Sequence, residues 1–456
     1  MKKIFNIFKY TTVALLVLVA GVLILLSVIN LNNYKTPISN LLTSTIGKPT
    51  TINGDIKLGI SLQPSIVLHD LSIANPDWTS TSNLLEVKKL KVSFATIPLL
   101  QRKIQVKNLR IEQATINLEQ RSKRQNNWDI HLDNKNTQQK KTSQSDISKI
   151  NEWFLLAPQK IKLINLAINY LDRTNNNKHA LAIAEARIVK HNTTFDFAIN
   201  GNYQKTSFTS EGQILATNDN AIKLIVKNKL LGGSNKINLL LKPQNNYWQQ
   251  QLQLIINNID AGKMFNLLGI SNNYRNGKLD LKFNHTGRQL SAQTLNGLLD
   301  VVLLNTQLNT SKSSIHGSFL RLLAGEGLNG IQVNCALARI KFSNGIGDAQ
   351  TLVFDTKGAL VRGKGTINMR NEKLDLVLHP TAKGVSLTSL AVPFTVTGTI
   401  TRPIILPTKK SFLTQLGKYA IGAATGVGLV AMVGFDVGKN LLKKSPTNPC
   451  VKALQN

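Results

Sequence analysis

The sequence predicts a mainly β protein with antiparallel strands, one N-terminal transmembrane helix and a few short helices. Three observations carry this reading. Apolar and polar residues alternate with a period of two in segment after segment, as in Glu372–Pro380, EKLDLVLHP, where Leu374, Leu376 and Leu378 share one face. The segments are joined mostly by short Asn, Gly and Asp turns, which favour antiparallel neighbours. Helical spacing is confined to the first thirty residues and a few short stretches.

The elements follow in order. The start carries Lys2, Lys3 and Lys9, and residues 11–29 then run 19 residues without a charge. At 1.5 Å per residue such a helix spans roughly 28 Å, about the thickness of a bilayer's hydrocarbon core. Thr11, Leu15, Leu18, Val22, Leu25 and Ile29 mark its length. A cleaved signal is the rival reading, but SVINLNNYK offers no convincing cleavage site. The lysines ahead of the span favour a cytoplasmic N-terminus, which puts the bulk of the chain outside the cytoplasm.

TPISNLLTSTIG predicts a short amphipathic helix, with Pro37 in its first turn, Ile38, Leu41, Leu42 and Ile46 on one face, and Gly47 as the stop. It rests either on the membrane surface or on a core. From Thr51 strands begin, with Asn53–Asp55 read as a hairpin turn. Residues 133–146 hold almost no apolar side chain and read as a flexible polar loop. DISKINEWFLL, DAGKMFNLLGI (capped by Asp260) and SFLRLLAG read as helices among further strands.

Composition narrows the partners. Lys plus Arg is 55 against 24 for Asp plus Glu, a net charge of +31. Such a balance suits anionic partners, nucleic acid or lipid headgroups, or is simply a solvated basic surface. The expected topology removes chromosomal DNA and leaves lipid surfaces. The cysteines, Cys335 and Cys450, are too few for a disulfide scaffold; they form one bridge in an oxidising compartment or remain free thiols.

Some twenty strands each present two to four large apolar side chains, and burying one is worth roughly 1.5–3 kcal/mol. Three short helices cover only part of such a surface. Two sheets face to face, a closed barrel, or an open trough filled by something apolar all satisfy the pattern.

A resemblance then becomes specific. Residues 334–380, NCALARIKFSNGIGDAQTLVFDTKGALVRGKGTINMRNEKLDLVLHP, followed by VPFTVTGTITRPIILP, resemble the C-terminal signature of the AsmA family. The anchor, IGKPTTINGDIKL, PSIVLHDLSIANP and NNW resemble its opening, and a Gly/Ala-rich tail ending near Cys450 its close. The resemblance implies an envelope protein of a two-membrane bacterium, anchored in the inner membrane with the bulk of its chain in the periplasm, and related to bridge-like lipid transfer proteins. The fold it implies is a long curved antiparallel sheet forming an open hydrophobic groove. Acyl chains of phospholipids would cover the leucines, in support of outer-membrane lipid homeostasis, with the inner membrane, the outer membrane and envelope proteins as contacts.

On this reading the chain divides into the anchor (1–30), an N-terminal β domain (31–132), the polar loop (133–146), a β-groove (147–407) and the tail (408–456). About twenty strands at roughly 4.8 Å give a trough of about 100 Å. Groove candidates are Leu279, Leu281, Phe283, Leu374, Leu376 and Leu378. The segment Tyr419–Phe435, with Gly422 and Gly426 in a G-x-x-x-G, inserts partway into a membrane or docks on a partner, caps the sheet, or spans.

Catalytic motifs are not in view. GEGLNG, Gly325–Gly330, follows a helix-like stretch and leads into a strand, so it reads as a turn rather than a dinucleotide loop. The seven histidines make no zinc spacing, and neither a catalytic residue, a metal nor a cofactor is expected. The rival to lipid transfer is a scaffold or assembly factor for outer-membrane protein biogenesis, without a lipid path.

Overall fold

Alternating β-branched and polar residues build long strands throughout the computed structural model. It describes residues 30–122, 125–129, 157–217, 219–244, 247–267, 274–288, 291–308, 331–383, 393–400, 402–407, 449–450 and 453. The expected anchor, the polar loop, the helices over DISKINEWFLL and SFLRLLAG, GEGLNG and the segment Tyr419–Phe435 lie outside these residues. Among the described residues, no helix is long and apolar enough to cross a membrane. Chain contacts divide the protein into two units, Met1–Ala216 and Thr217–Asn456.

In the first unit, a 3-10 turn at Leu31–Tyr34 leads into helix α1 (Lys35–Ile46). Gly47 ends α1 in the left-handed conformation, φ 72°, which glycine adopts without a Cβ clash. The strands are β1 (Thr50–Ile52), β2 (Ile56–Gly59), β3 (Ser65–Ala74), β4 (Asn83–Phe94), β5 (Val106–Ser122), β6 (Gln125–Asn126), β7 (Lys160–Asp172), β8 (Asn177–His191), β9 (Thr194–Tyr203) and β10 (Thr206–Ala216), with a short helix α2 (Thr96–Leu100) between β4 and β5. β3, β4 and β5 pair in sequence order, as do β7 to β10.

Two sequence expectations are corrected here. β5 and β7 run parallel, Asn108 opposite Lys160 through Gln120 opposite Asp172, so this sheet is mixed rather than antiparallel. A parallel pair needs a long connection, and residues 127–159 supply it. Asn53–Asp55 is not a hairpin turn. β1 and β2 both pair antiparallel with β3 and lie end to end along it, with Asn53 N–H donating to Asp70 O at 3.0 Å and Gly54 N–H to His69 O at 3.1 Å. A Cβ on Gly54 would sit 2.7 Å from that of His69, so the edge strand passes there as glycine.

The second unit holds β11 (Ile222–Leu230), β12 (Gly233–Gln244), β13 (Tyr247–Asp260), helix α3 (Ala261–Leu267), β14 (Tyr274–Arg275), β15 (Lys278–Gly287), β16 (Gly297–Leu308), β17 (Ile331–Ser343), β18 (Ile346–Thr356), β19 (Ala359–Asn368), β20 (Lys373–Ala382), β21 (Phe394–Gly398) and β22 (Pro403–Pro407). Asp260 caps α3 as expected, its carboxylate accepting from Lys263 N–H at 2.9 Å. β13 pairs with β15 and the short β14 with β16; otherwise neighbours follow sequence order, and among the described residues of this unit every pair is antiparallel.

Candidate functional site: two apolar sheet faces

Residues directly opposite in neighbouring strands share a face, so register traces each face across a sheet. In the second unit one row runs Val226, Ile237, Leu254, Phe283, Leu299, Ile340, Ala349, Gly365, Leu376, Val396, Ile405, one residue from each of β11, β12, β13 and β15 to β22. No polar side chain interrupts it. A parallel row carries Ile256, Leu281, Val301, Ala338, Leu352, Gly363, Leu378 and Phe394. Leu279 stands between Ile259 and Leu303, and Leu374 opposite Ile367. The six groove candidates therefore share one face of one sheet. Leu279 is buried, and the other five are half-buried.

What covers the leucines of β20 is lateral. Leu374, Leu376 and Leu378 pack on the buried cluster of Val361, Phe394 and Val396, with Phe354 and Ile405 packed on the same cluster, and Leu376 also packs on Ile340, Phe342 and Ala349, all from strands of the same sheet. Gly363 and Gly365 of β19 make room for them, since a Cβ on Gly363 would lie 2.2 Å from Leu378 Cδ2. The opposite face is polar over β12 to β15. Asn238 donates to Gln253 at 2.9 Å, and Gln253 to Asn284 at 3.3 Å.

That second face carries one apolar patch, and the chain's own C-terminal residues close it. Cys335 and Cys450 form a disulfide, and both are fully buried with Val302, Leu304, Leu337 and Val353, with Leu360 and Ala453 packed alongside. Beside it Arg339 donates to Asp300 at 3.0 Å, an ion pair nearly removed from water. Neighbouring Asn334 donates to Asp355 at 3.1 Å, and Asp355 is ion-paired with Lys383. The sequence left the pairing of the cysteines open; the structure bonds them, on the face away from Leu376.

The first unit repeats the scheme. One row runs Ile56, Leu68, Leu90, Ile111, Leu163, Ala186, Ile199, and a second Leu58, Ile66, Val92, Leu109, Ile161, Ile188, Phe197. α1 covers one end: Ile38 and Leu42, with Leu31, pack on the core of Ile52, Ile56, Leu68, Leu71, Val87 and Ala114. This favours the core reading of α1. Leu41, expected on the same face, is 65% exposed. Further along, on β7 to β9, Ile161, Leu163, Ile188, Phe197 and Ile199 are only half-buried.

A line of interruptions crosses this sheet, and alternation did not reveal it. Pairing passes from His69–Lys89 to Leu71–Val87, from Lys89–Glu112 to Val87–Ala114, from Glu112–Ile164 to Ala114–Leu166, and from Ile164–Glu185 to Leu166–Ile183. The residues passed over include Asp70, Gln113 and Asn165, at φ 50°, 54° and 55°. Each acts as a bulge that flips the alternation, so Leu68 and Leu71, three apart, share a face. The signal was present in the sequence as repeated i, i+3 apolar spacing inside strands.

On the outer face cations outnumber carboxylates. Lys91, Arg110, Lys162 and Arg187 stand in one row. Glu112 lies close to Lys89 at 3.3 Å and is also bonded by Arg110; Glu185 meets Lys162 at 2.9 Å and Arg187 at 3.2 Å. Both carboxyls are held below the usual range, Glu112 chiefly by the Arg110 bond and Glu185 chiefly by the Lys162 bond. Lys190 is lowered by burial.

The signature motifs have structural duties. Asn127 of NNW is fully buried; its Oδ1 accepts from Glu119 N–H at 2.7 Å, and its Nδ2 donates to Asn75 of IANP at 2.9 Å and to Asn117 O at 2.7 Å. Trp128 lies 5.9 Å from Tyr170, ring to ring. Among the described residues no cluster of His, Cys, Asp and Glu is arranged to hold a metal ion.

Such a protein is built to present long apolar faces, with its polar side chains engaged in holding strands in register. The AsmA family profile matches residues 1–347, and the chain belongs to the AsmA family. It is similar to the AsmA family protein YhjG of Escherichia coli (strain K12), 38% identical over 73 residues, which are 16% of this chain and 11% of that protein.

Proposed function

We propose that the half-buried apolar faces receive phospholipid acyl chains, and that the protein is an inner-membrane-anchored, periplasmic lipid-transfer protein supporting outer-membrane lipid homeostasis. The observation that carries the reading is the row from Val226 to Ile405, apolar or glycine in eleven strands, with Leu376 and Leu378 covered from the side. Taking a lipid out of a bilayer exposes about 0.8 kcal/mol of apolar surface per CH₂. A continuous apolar track offsets that loss at every step, so a lipid moves along it without entering water. Such a path breaks no bond and uses no cofactor, and Asn127 and Asn75, from two of the quoted motifs, are engaged in hydrogen bonds within the sheet.

The test is photocrosslinking in cells from a benzoylphenylalanine at position 376, with one at position 375 as the opposite-face control and lipids identified by mass spectrometry. Phospholipid adducts at 376 well above those at 375 are expected. Equal adducts at both, or protein adducts alone at 376, defeat the proposal and favour the scaffold reading.

A further inference from the structure

One end of the first unit's sheet carries an apolar patch that the proposed lipid path does not use. Leu62 is 94% exposed, Ile97 71%, Leu100 81% and Ile104 79%. They come from two loops, residues 60–64 before β3 and 95–105 between β4 and β5, the second including α2. The loops are built rather than loose. Thr96 Oγ1 donates to Leu62 O, Phe94 N–H to Pro64 O at 2.8 Å, Ala95 N–H to Gln105 O at 2.9 Å and Lys103 N–H to Pro98 O at 2.8 Å. Four large side chains held in water by an ordered backbone mark an interaction surface.

Charge and chain direction name the partner. From Ala95 to Lys107 the chain carries Arg102, Lys103 and Lys107 and no carboxylate, and Lys160 is exposed next to Asn108. Apolar tips within a basic rim suit an anionic lipid bilayer. α1 begins beside Asp55, which Lys35 approaches at 3.9 Å, and ends where Pro49 O accepts from Ala74 N–H at the last residue of β3. α1 thus advances in the direction of β3, and before it Asn32 Oδ1 accepts from Ile56 N–H at 2.9 Å, opposite Leu68 and nearer the Ser65 end, where Leu62 and Ala95 lie. In sequence the charge-free residues 11–29 precede this stretch.

We infer that Leu62, Ile97, Leu100 and Ile104 insert into the surface of an anionic bilayer, with Arg102 and Lys103 on its headgroups, as a second membrane contact that seats this end of the sheet against the lipid. This does not depend on lipid transfer.

The test uses the full chain in nanodiscs. A spin label goes on Ile97→Cys, Leu100→Cys or, beyond the far end of β7, Asn175→Cys; the native cysteines are bonded to each other and leave the new thiol for labelling. In phosphatidylglycerol-containing nanodiscs, labels at 97 and 100 should favour collision with oxygen over a water-soluble nickel complex several-fold more than the label at 175. Arg102→Glu with Lys103→Glu should return both toward the value at 175. Labels at 97 and 100 as wet as that at 175 overturn the inference. So does shielding that is the same in nanodiscs without anionic lipid and unmoved by Arg102→Glu with Lys103→Glu, which points to a contact other than anionic headgroups. Either result leaves the crosslinking from position 376 to be read on its own.

Discussion

The disulfide between Cys335 and Cys450 fastens residues of the C-terminal end to the face of the sheet opposite Leu376. It closes the loop from β17 to the chain's last residues and buries an apolar patch beside the Asp300–Arg339 ion pair. A cross-link over so long a stretch is worth about 2–4 kcal/mol. Reductant should lower the urea midpoint of the wild type and leave Cys335→Ser/Cys450→Ser, already lowered, unmoved. Because the bond lies on the other face, lipid labelling from position 376 should survive in that variant.

Gly363 and Gly365 predict different costs. A Cβ on Gly363 meets the movable end of Leu378, at 2.2 Å from Cδ2. One on Gly365 meets backbone, 2.1 Å from Asp375 O, at a φ of 147° that side chains rarely adopt. Gly365→Ala should cost about 1–3 kcal/mol and Gly363→Ala clearly less, seen as a larger drop in Tm for the first. The reverse order would mean that Leu378 is not free to move, contrary to a half-covered face.

Glu119 makes stability depend on acid. Its carboxylate is sealed, which pushes its pKa up, but Ser80 donates to it from N–H and Oγ at 2.8 Å each and Arg173 bonds it as well, so the net shift is downward. A carboxyl lowered in the folded state contributes stability that is whole above its ordinary value, about 4.3, and lost as pH falls through the lower folded value. Glu119→Gln should cost about 1–3 kcal/mol at neutral pH. The gap to wild type should hold down to about pH 5 and close below the ordinary glutamate value, as followed by denaturant melts across pH. A gap that widened on acidification would refute the sign.

Much of this architecture could be read in the sequence because a strand's faces follow from a period of two. Leu374, Leu376 and Leu378, and Leu279, Leu281 and Phe283, fall on one face as expected, and Gly47 and Asp260 bound their helices. The rest was hidden for separate physical reasons. Asp70, Gln113 and Asn165 sit in left-handed conformations inside strands, where an Asn or Asp in sequence looks like any polar position of the alternation. Asn53–Asp55 has the composition of a hairpin, but both flanking segments found the same partner, β3. The parallel β5–β7 pair and the cysteine bond are tertiary choices across long gaps, which local pattern does not encode.

Leu376 and Asp375 are neighbours in sequence and lie on opposite faces of β20, which makes them a matched pair for lipid binding. Leu376 stands opposite Gly365 and Val396 in the apolar row, whereas Asp375 stands opposite Thr366 and is exposed. A carboxylate in the row would face either apolar side chains or an acyl chain, and it resists both because its charge loses water without gaining a partner. Asp375→Lys changes the charge by two units on a face already rich in cations and leaves the row intact. Leu376→Asp should therefore lower the phospholipid recovered with the detergent-purified protein several-fold and weaken outer-membrane integrity, scored by sensitivity to large antibiotics. Asp375→Lys should do neither. Half-burial of Leu376 limits the damage to folding, and an unchanged circular dichroism spectrum with a cooperative melt checks that the variant still folds. If the two substitutions had equal effects on lipid recovery, the apolar row would be packing and not a path.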